Sequence, residues 1–394
     1  MYRFLAFVLF ATAINAEDVN SIIDSMSKNT KLQLESINAH KLENEALVEQ
    51  NMRHYKEIVD TAKRYYQEFL AKKWGEENVR LSTQKSFTQY SDDMNQRESV
   101  DFENGQIVIE IVTELDEELS PEIFTQKLYE LMDESMQDAI KKDPVANLTQ
   151  TYMEKKRVQS PIPPPKEEKL LEDLVDKRAI DKSELKTNEA KIKGNKRKKI
   201  TYVEIPMVPD HLKKLADRYK DSVVKYAERF GVPPSHIFAT IHTESFFNPL
   251  ALSYVPAYGL MQLVPTTGGR DAYRALSGKD RVLTPKYLYD PDNNIKLGTK
   301  YIELIKNSYL EGVEDSEKLY YCTSIAYNAG IGNLYRAIAG KKNRKSEAIE
   351  RINKMEPDEL YELLQTSPRL THEARQYVKL LKQRRQNYLA YDGI

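Results

Sequence analysis

Residues 243–267 read TESFFNPLALSYVPAYGLMQLVPTT and hold one charged side chain, Glu244, in a chain where 30% of residues are charged. The sparsity extends on both sides. Between Arg229 and Arg270 no other Asp, Glu, Lys or Arg occurs, where the chain average would supply about a dozen. Such a stretch is interior or cleft wall. Upstream, PPSHIFATIH (233–242) predicts a helix beginning near Pro234, since proline is tolerated in a first turn, and stopping around Asn248-Pro249. Ile237, Ile241 and Glu244 then fall at i, i+4 and i+7, which puts the carboxyl on the apolar face near the helix C-terminus. Desolvation and the negative end of the helix dipole both disfavour its ionised form. A carboxylic acid that keeps its proton near neutral pH is what a general acid requires. The same pattern also fits a helix-end glutamate whose oxygens reach solvent or an arginine.

The 394 residues exceed the usual single-domain length, so two domains, or one with a long extension, are expected. With 59 basic and 60 acidic side chains the net charge is −1, which argues against a nucleic-acid partner. The single cysteine, Cys322, excludes an intrachain disulfide and sits in an apolar helical context as a small buried hydrophobe. His236 and His242 lack the spacing and company of metal ligands, and no metal or cofactor is expected. At the N-terminus, Arg3 precedes an apolar run from Phe4 to Ala13 with small residues at Ala13 and Ala16. That is the pattern of a secretory signal peptide over 1–16, and the run is short for a membrane span.

From Asn20 to Lys73 the chain has neither Gly nor Pro and predicts helix, ended by Trp74-Gly75. SVDFENGQIVIEIVTE (99–114) then alternates around Asn104-Gly105 as two short strands and a turn. A helical segment follows over Pro121–Lys142. QSPIPPPKEEK (159–169) reads as extended and solvated within a charged stretch, 158–188. Residues 189–205, on either side of Gly194-Asn195, pattern as a hairpin that returns to the first sheet, with a basic, solvated tip at Lys196–Lys199. Beyond Pro209, glycine and proline punctuation divides the chain into short helices. The fold class expected is α+β: an N-terminal domain of helices and a small sheet (17–205), then a mainly α-helical domain (206–394).

Around the lone acid, AYGLMQLVP (257–265) joins Gly259, which lets backbones approach closely, to Met261 and Gln262. SIAYNAGIG (324–332) ends a helix with Tyr327 and Asn328 before Gly330. TESFFNP, YGLMQLVP, AYNAG and THEARQYV, in that order and at those intervals, resemble the lytic murein transglycosylases, whose catalytic domain is similar in fold to goose-type lysozyme. The likeness covers Pro209 to Tyr388. VEIPMVPDHL (203–212), YDPDNNIKLGTKYIELI (289–305) and DFENGQIVIEI (101–111) extend it toward the membrane-bound type in that family.

The resemblance implies Glu244 as sole catalytic acid/base, with Ser253, Met261 and Gln262 lining sugar subsites. It also implies Tyr327 and Asn328 as the floor beside the acid, and Glu373 as a second carboxylate facing the cleft. Glu373 fits a salt bridge on a charged helix equally well. Ser245 reads as support for the acid's loop and Tyr377 as packing. The implied reaction breaks the MurNAc–GlcNAc β-1,4 bond of peptidoglycan glycan strands and closes the muramic 6-hydroxyl on the anomeric carbon. Membrane-bound members are lipoproteins with a cysteine directly after the leader. Cys322 is not there, so a soluble periplasmic enzyme is expected. A peptidoglycan-hydrolysing lysozyme and a non-catalytic murein-binding scaffold remain as rivals, and an assembly-associated transglycosylase would share the chemistry.

Overall fold

The computed structural model describes residues 53, 56–155, 168–176, 179, 183–194 and 196–393. The leader at 1–16, the helix expected over 20–52 and the proline stretch at 159–167 lie outside them. The described residues from Lys56 onward belong to one compact unit, Tyr55–Ile394.

Helix α1 (56–74) buries Val59, Ala62, Leu70 and Trp74, then stops where Gly75 turns to φ 81°. Five antiparallel strands follow: β1 (Ser86–Tyr90), β2 (Gln96–Asp101), β3 (Gln106–Thr113), β4 (Lys186–Lys191) and β5 (Arg197–Pro206), in the order β1-β2-β3-β5-β4. The β2–β3 hairpin turns at Asn104-Gly105, with Asp101 opposite Gln106, as the alternation predicts. The second hairpin does return to the first: Ile107 pairs with Ile205 and Ile109 with Val203. Strand β1 was not foreseen, because its Thr88 and Gln89 break the apolar pattern. Both are buried and held by tertiary hydrogen bonds: the Thr88 N–H donates to Ser82 Oγ at 2.9 Å, and Gln89 Nε2 donates to Glu134 at 2.6 Å.

One face of the sheet, through Phe87, Val100, Ile107 and Val203, packs in the same core as Phe124, Leu128 and Leu131 of α2 (Pro121–Asp133). The helical segment expected as one piece breaks at Ser135, whose side chain accepts from the Asp138 N–H and starts α3 (Met136–Lys142). Helix α4 (Pro144–Lys155) follows. On the opposite face of the sheet Arg97 is fully buried between the Trp74 ring, at 4.1 Å, and both Glu110 oxygens, at 2.5 and 2.6 Å. A planar guanidinium suits this site because it can stack and form two parallel hydrogen bonds at once.

The remainder is helical: α5 (His211–Arg218), α6 (Lys220–Phe230), α7 (Pro234–Ser245), α8 (Gly268–Ser277), α9 (Pro285–Leu288), α10 (Pro291–Leu304), α11 (Ser316–Ala329), α12 (Ile331–Ala339), α13 (Lys345–Lys354), α14 (Pro357–Thr366) and α15 (His372–Arg385), closed by a 3₁₀ turn, Gln386–Gly393. The expected breaks at Gly231 and Gly340 are left-handed C-caps, and Pro285 and Pro291 open their helices. The sheet is tied to this part by one backbone and one side-chain contact: Met207 N–H donates to Gly105 O at 2.7 Å, and His211 Nε2 lies 3.1 Å from Phe102 O. The α+β architecture, with a small antiparallel sheet preceding a helical part, is that expected.

Candidate active site

Helix α7 is buried on nearly every side and carries Glu244 one residue before its end. It stops earlier than the sequence suggests, at Ser245, because Phe246 and Phe247 take left-handed φ of 52° and 61°. Left-handed backbone is costly for such side chains. It is held here by buried rings and polar ties. Ser245 Oγ donates to Leu260 O at 2.8 Å, Arg384 Nη1 donates to the last turn of the helix at His242 O, 3.1 Å, and the Arg384 guanidinium lies over the Phe246 ring at 4.5 Å. Ser245 therefore supports the acid's loop, as read from the sequence.

Glu244 is partly open to solvent. Apolar packing around its carboxyl nonetheless raises the pKa to about 8, the Tyr377 hydroxyl offsets part of that rise, and the charge of Glu373 adds to it. Tyr377 Oη donates to Glu244 Oε1 at 2.7 Å. Sequence reasoning took Tyr377 for packing. It is buried as expected, but its hydroxyl is the one hydrogen-bond donor to the acid among the described residues. Its place six residues after the THEAR start of α15 gave no sign of this, since the two residues are 133 apart in sequence.

The loop after α7 folds back on itself through bridges between Leu252 and Tyr258 and between Tyr258 and Leu263. Gly259, at φ 73°, is enforced: a Cβ there would strike Asn294 and the Leu288 carbonyl. Gln262, at φ 46°, gives its Nε2 to Ala251 O (3.1 Å) and Gly259 O (3.0 Å), which leaves its buried Oε1 without a protein partner among the described residues. A non-glycine residue held in left-handed backbone with an unspent acceptor is the kind of strain found at binding sites. Met261 is fully buried against Gly298 and presents no side chain to a cleft, contrary to the role expected of it. It contributes backbone instead: its carbonyl accepts from Tyr327 Oη at 2.7 Å and its N–H donates to Asn294 Oδ1 at 2.8 Å.

Tyr327 is buried enough around its hydroxyl to keep the phenol neutral, and Glu244 is among the charges acting on it. Asn328, next along α11, reaches Glu373 Oε1 with its Nδ2 at 3.4 Å. Glu373 is exposed in the first turn of α15, where the helix dipole favours a negative charge. Ser253 stands apart from this group. Its hydroxyl donates to Val255 O and accepts from the Ala257 N–H at 3.2 Å, shaping the loop tip. The structure thus gathers Glu244, Tyr377, Tyr327, Asn328 and Glu373 around one acid, with Gln262 and the Met261 backbone on the adjoining loop. His236 and His242 are core residues whose pKa values burial lowers to about 3.

Asn294, near the start of α10, is the supporting residue missed in the sequence. It is fully buried, and besides Met261 it serves Tyr258 O (2.8 Å) and Leu288 O (2.7 Å) with its Nδ2. In sequence it stands only within YDPDNNIKLGTKYIELI, where nothing sets it apart from Asn293.

Residues 221–350 match the family described as Transglycosylase SLT domain, and residues 47–139 match the N-terminal domain of membrane-bound lytic murein transglycosylase C. The chain is 40% identical over 190 residues to the membrane-bound lytic murein transglycosylase C of Actinobacillus pleuropneumoniae serotype 5b (strain L20), covering 48% of this chain and 51% of that protein. To the protein of the same name from Yersinia pestis (strain Pestoides F) it is 38% identical over 192 residues, 49% and 52% of the two chains. It spans about half the length of the curated relatives it matches. Among solved structures it is similar to an inactive mutant of lytic transglycosylase Slt from Pseudomonas aeruginosa (28% identity, TM-score 0.31, 43% of this chain and 24% of that one). It is likewise similar to the 70 kDa soluble lytic transglycosylase from Escherichia coli (24% identity, TM-score 0.34, 44% and 24%). The chain resembles lytic murein transglycosylases of the C type over both matched segments.

Proposed function

We propose that this chain is a lytic murein transglycosylase that cleaves the MurNAc–GlcNAc β-1,4 bond of peptidoglycan, with Glu244 as its single acid/base. The observation that carries the reading is the state of Glu244: a carboxyl whose pKa is raised to about 8 by desolvation and whose orientation is held by Tyr377. Such a group enters the reaction protonated and donates to the glycosidic oxygen as the bond opens. The resulting carboxylate then accepts the proton of the muramic 6-hydroxyl, which attacks C1 and gives a 1,6-anhydromuramoyl end, so no water enters. In this reading Gln262, Ser253, Tyr327 and Asn328 contact the sugars, and Met261 acts through its backbone. Residues 206–394 form the catalytic domain and 17–205 the preceding domain. The leader-like run at 4–13 favours export to the periplasm. No helix among the described residues is long and apolar enough to cross a membrane.

Products released from purified sacculi test the reading: fragments one water lighter than the hydrolysis products support it, and none of either sinks it. A second reading, hydrolysis, draws on Glu373, since a second carboxylate is what a water-activating glycosidase employs. Reducing ends in the same products would select it.

The acid's pKa sets the pH profile. Activity is expected to hold below pH 8 and to fall as pH rises through about 8, where Glu244 loses its proton. Tyr377 lowers that pKa by donating to the anion. Tyr377→Phe is therefore expected to move the basic limb of kcat to higher pH, and a limb that stays put or moves down would remove Tyr377 from this role.

A further inference from the structure

A cavity of about 730 Å³ lies between α1 and the loop that carries Ser253, lined by Asp60, Lys63, Arg64, Gln67, Thr83 and Tyr254 among others. Its wall is shared with the candidate sugar site. Leu252 N–H donates to Thr83 O at 3.2 Å and Lys63 Nζ to Ser253 O at 3.1 Å, while the neighbouring Ala251 carbonyl holds the Gln262 amide. One short stretch, Ala251–Tyr254, thus faces the active-site loop through one residue and the cavity through the next three. The α1 residues fall at intervals of three and four, so they share a helix face.

That face carries both signs of charge, and part of it is uncommitted. Among the described residues Arg64 and Gln67 are exposed and engage no hydrogen-bond or ion-pair partner. At the rim Tyr254 is 70% exposed, an unusual state for an aromatic ring, with the Lys56 and Lys63 ammonium groups 5.4 and 5.7 Å from its centroid. A neutral saccharide seated here would cover Arg64 without giving it an anion, which is unfavourable. An occupant with carboxylates and an amine would satisfy Arg64 on one side and Asp60 on the other.

We propose that this cavity seats the peptide stem that a muramoyl residue carries through its lactyl ether, with Arg64 taking a stem carboxylate, Asp60 facing the amino group of a diamino acid, and Tyr254 covering the peptide backbone. The inference rests on the transglycosylase reading and makes the α1 face a determinant of substrate preference. The Ala251 carbonyl that holds Gln262 and the cavity residues Leu252–Tyr254 are consecutive in the chain, which sets the two sites side by side.

The test compares kcat/KM on two soluble glycan preparations, one bearing peptides and the same material stripped by an amidase, for the wild-type protein, Arg64→Glu and Tyr254→Ala. The wild type is expected to prefer the peptide-bearing strands. Arg64→Glu is expected to reduce the ratio of the two constants about tenfold, as loss of one charge-assisted hydrogen bond predicts, and Tyr254→Ala to reduce it in the same direction. A wild type active on both preparations with a ratio near one, or two variants that leave the ratio unchanged, would overturn the inference while the activity stands. A wild type inactive on both would overturn the activity itself and the inference with it.

Discussion

Glu244→Gln is expected to lower muropeptide release by a factor of about 100 to 10,000, the range spanned by loss of one general acid/base, while pull-down of the protein on intact sacculi is largely kept. The amide preserves size and the hydrogen-bonding position beside Tyr377 but has no proton to give to the leaving oxygen. Full residual release would remove Glu244 from the chemistry and pass the acid's role to another group, Glu373 first. A second readout tests whether the carboxyl is held protonated. Its pKa is raised from 4.5 when unperturbed to about 8 in the folded protein. Between those values the folded chain holds a proton that the unfolded chain has released, so the stability this group contributes is fully present below pH 4.5 and is lost as pH rises through about 8. Glu244→Gln removes the dependence. Its Tm relative to wild type is expected to rise from pH 5 to pH 8, and a constant difference would mean that the acid is ionised in the folded state.

What the sequence disclosed and what it hid divide along physical lines. The lone acid on an apolar face was legible because burial excludes charge over a long window, and a window is what a sequence displays. The glycine and proline stops were legible because φ preferences act within one or two residues. Hairpins at Asn104-Gly105 and around Gly194 could be read for the same reason. Strand β1 was hidden because its stability comes from tertiary hydrogen bonds: Ser82 reaches Thr88, and Glu134 reaches Gln89 from 45 residues away. Tyr377 was hidden because a phenol reads identically as packing or as donor until its partner's position is known. Met261 misled in the opposite direction. Its charge-free GLMQ context fits interior and cleft wall alike and gave no hint that Gly298, 37 residues on, makes room to bury it.

Asn294→Ala is expected to cost about 2 kcal/mol or more in stability, because it strands two buried backbone groups at about 1 kcal/mol or more apiece. The groups are the Met261 N–H and the Leu288 carbonyl, both within 2.8 Å of the amide, while the Tyr258 carbonyl keeps the Leu263 N–H at 3.1 Å. The deletion falls where strain is already stored, since Gln262 sits at φ 46° directly after Met261. Losing the Asn294 brace frees that loop to relax, and Gln262 then leaves the position that presents its unspent oxygen to the proposed sugar site. Activity at a temperature where the variant is still folded is therefore expected to drop as well, through KM. Asn294→Asp separates the two effects: it keeps the acceptor for Met261 but sets a carboxylate against the Tyr258 and Leu288 carbonyls, with no donor for either. Chemical denaturation of both variants is the measurement, with the Asp variant expected to be destabilised through the carbonyl side alone. If both variants unfold at the wild-type midpoint, the GLMQ loop is held by its own glycine and bridge contacts, and Asn294 has no part in presenting Gln262.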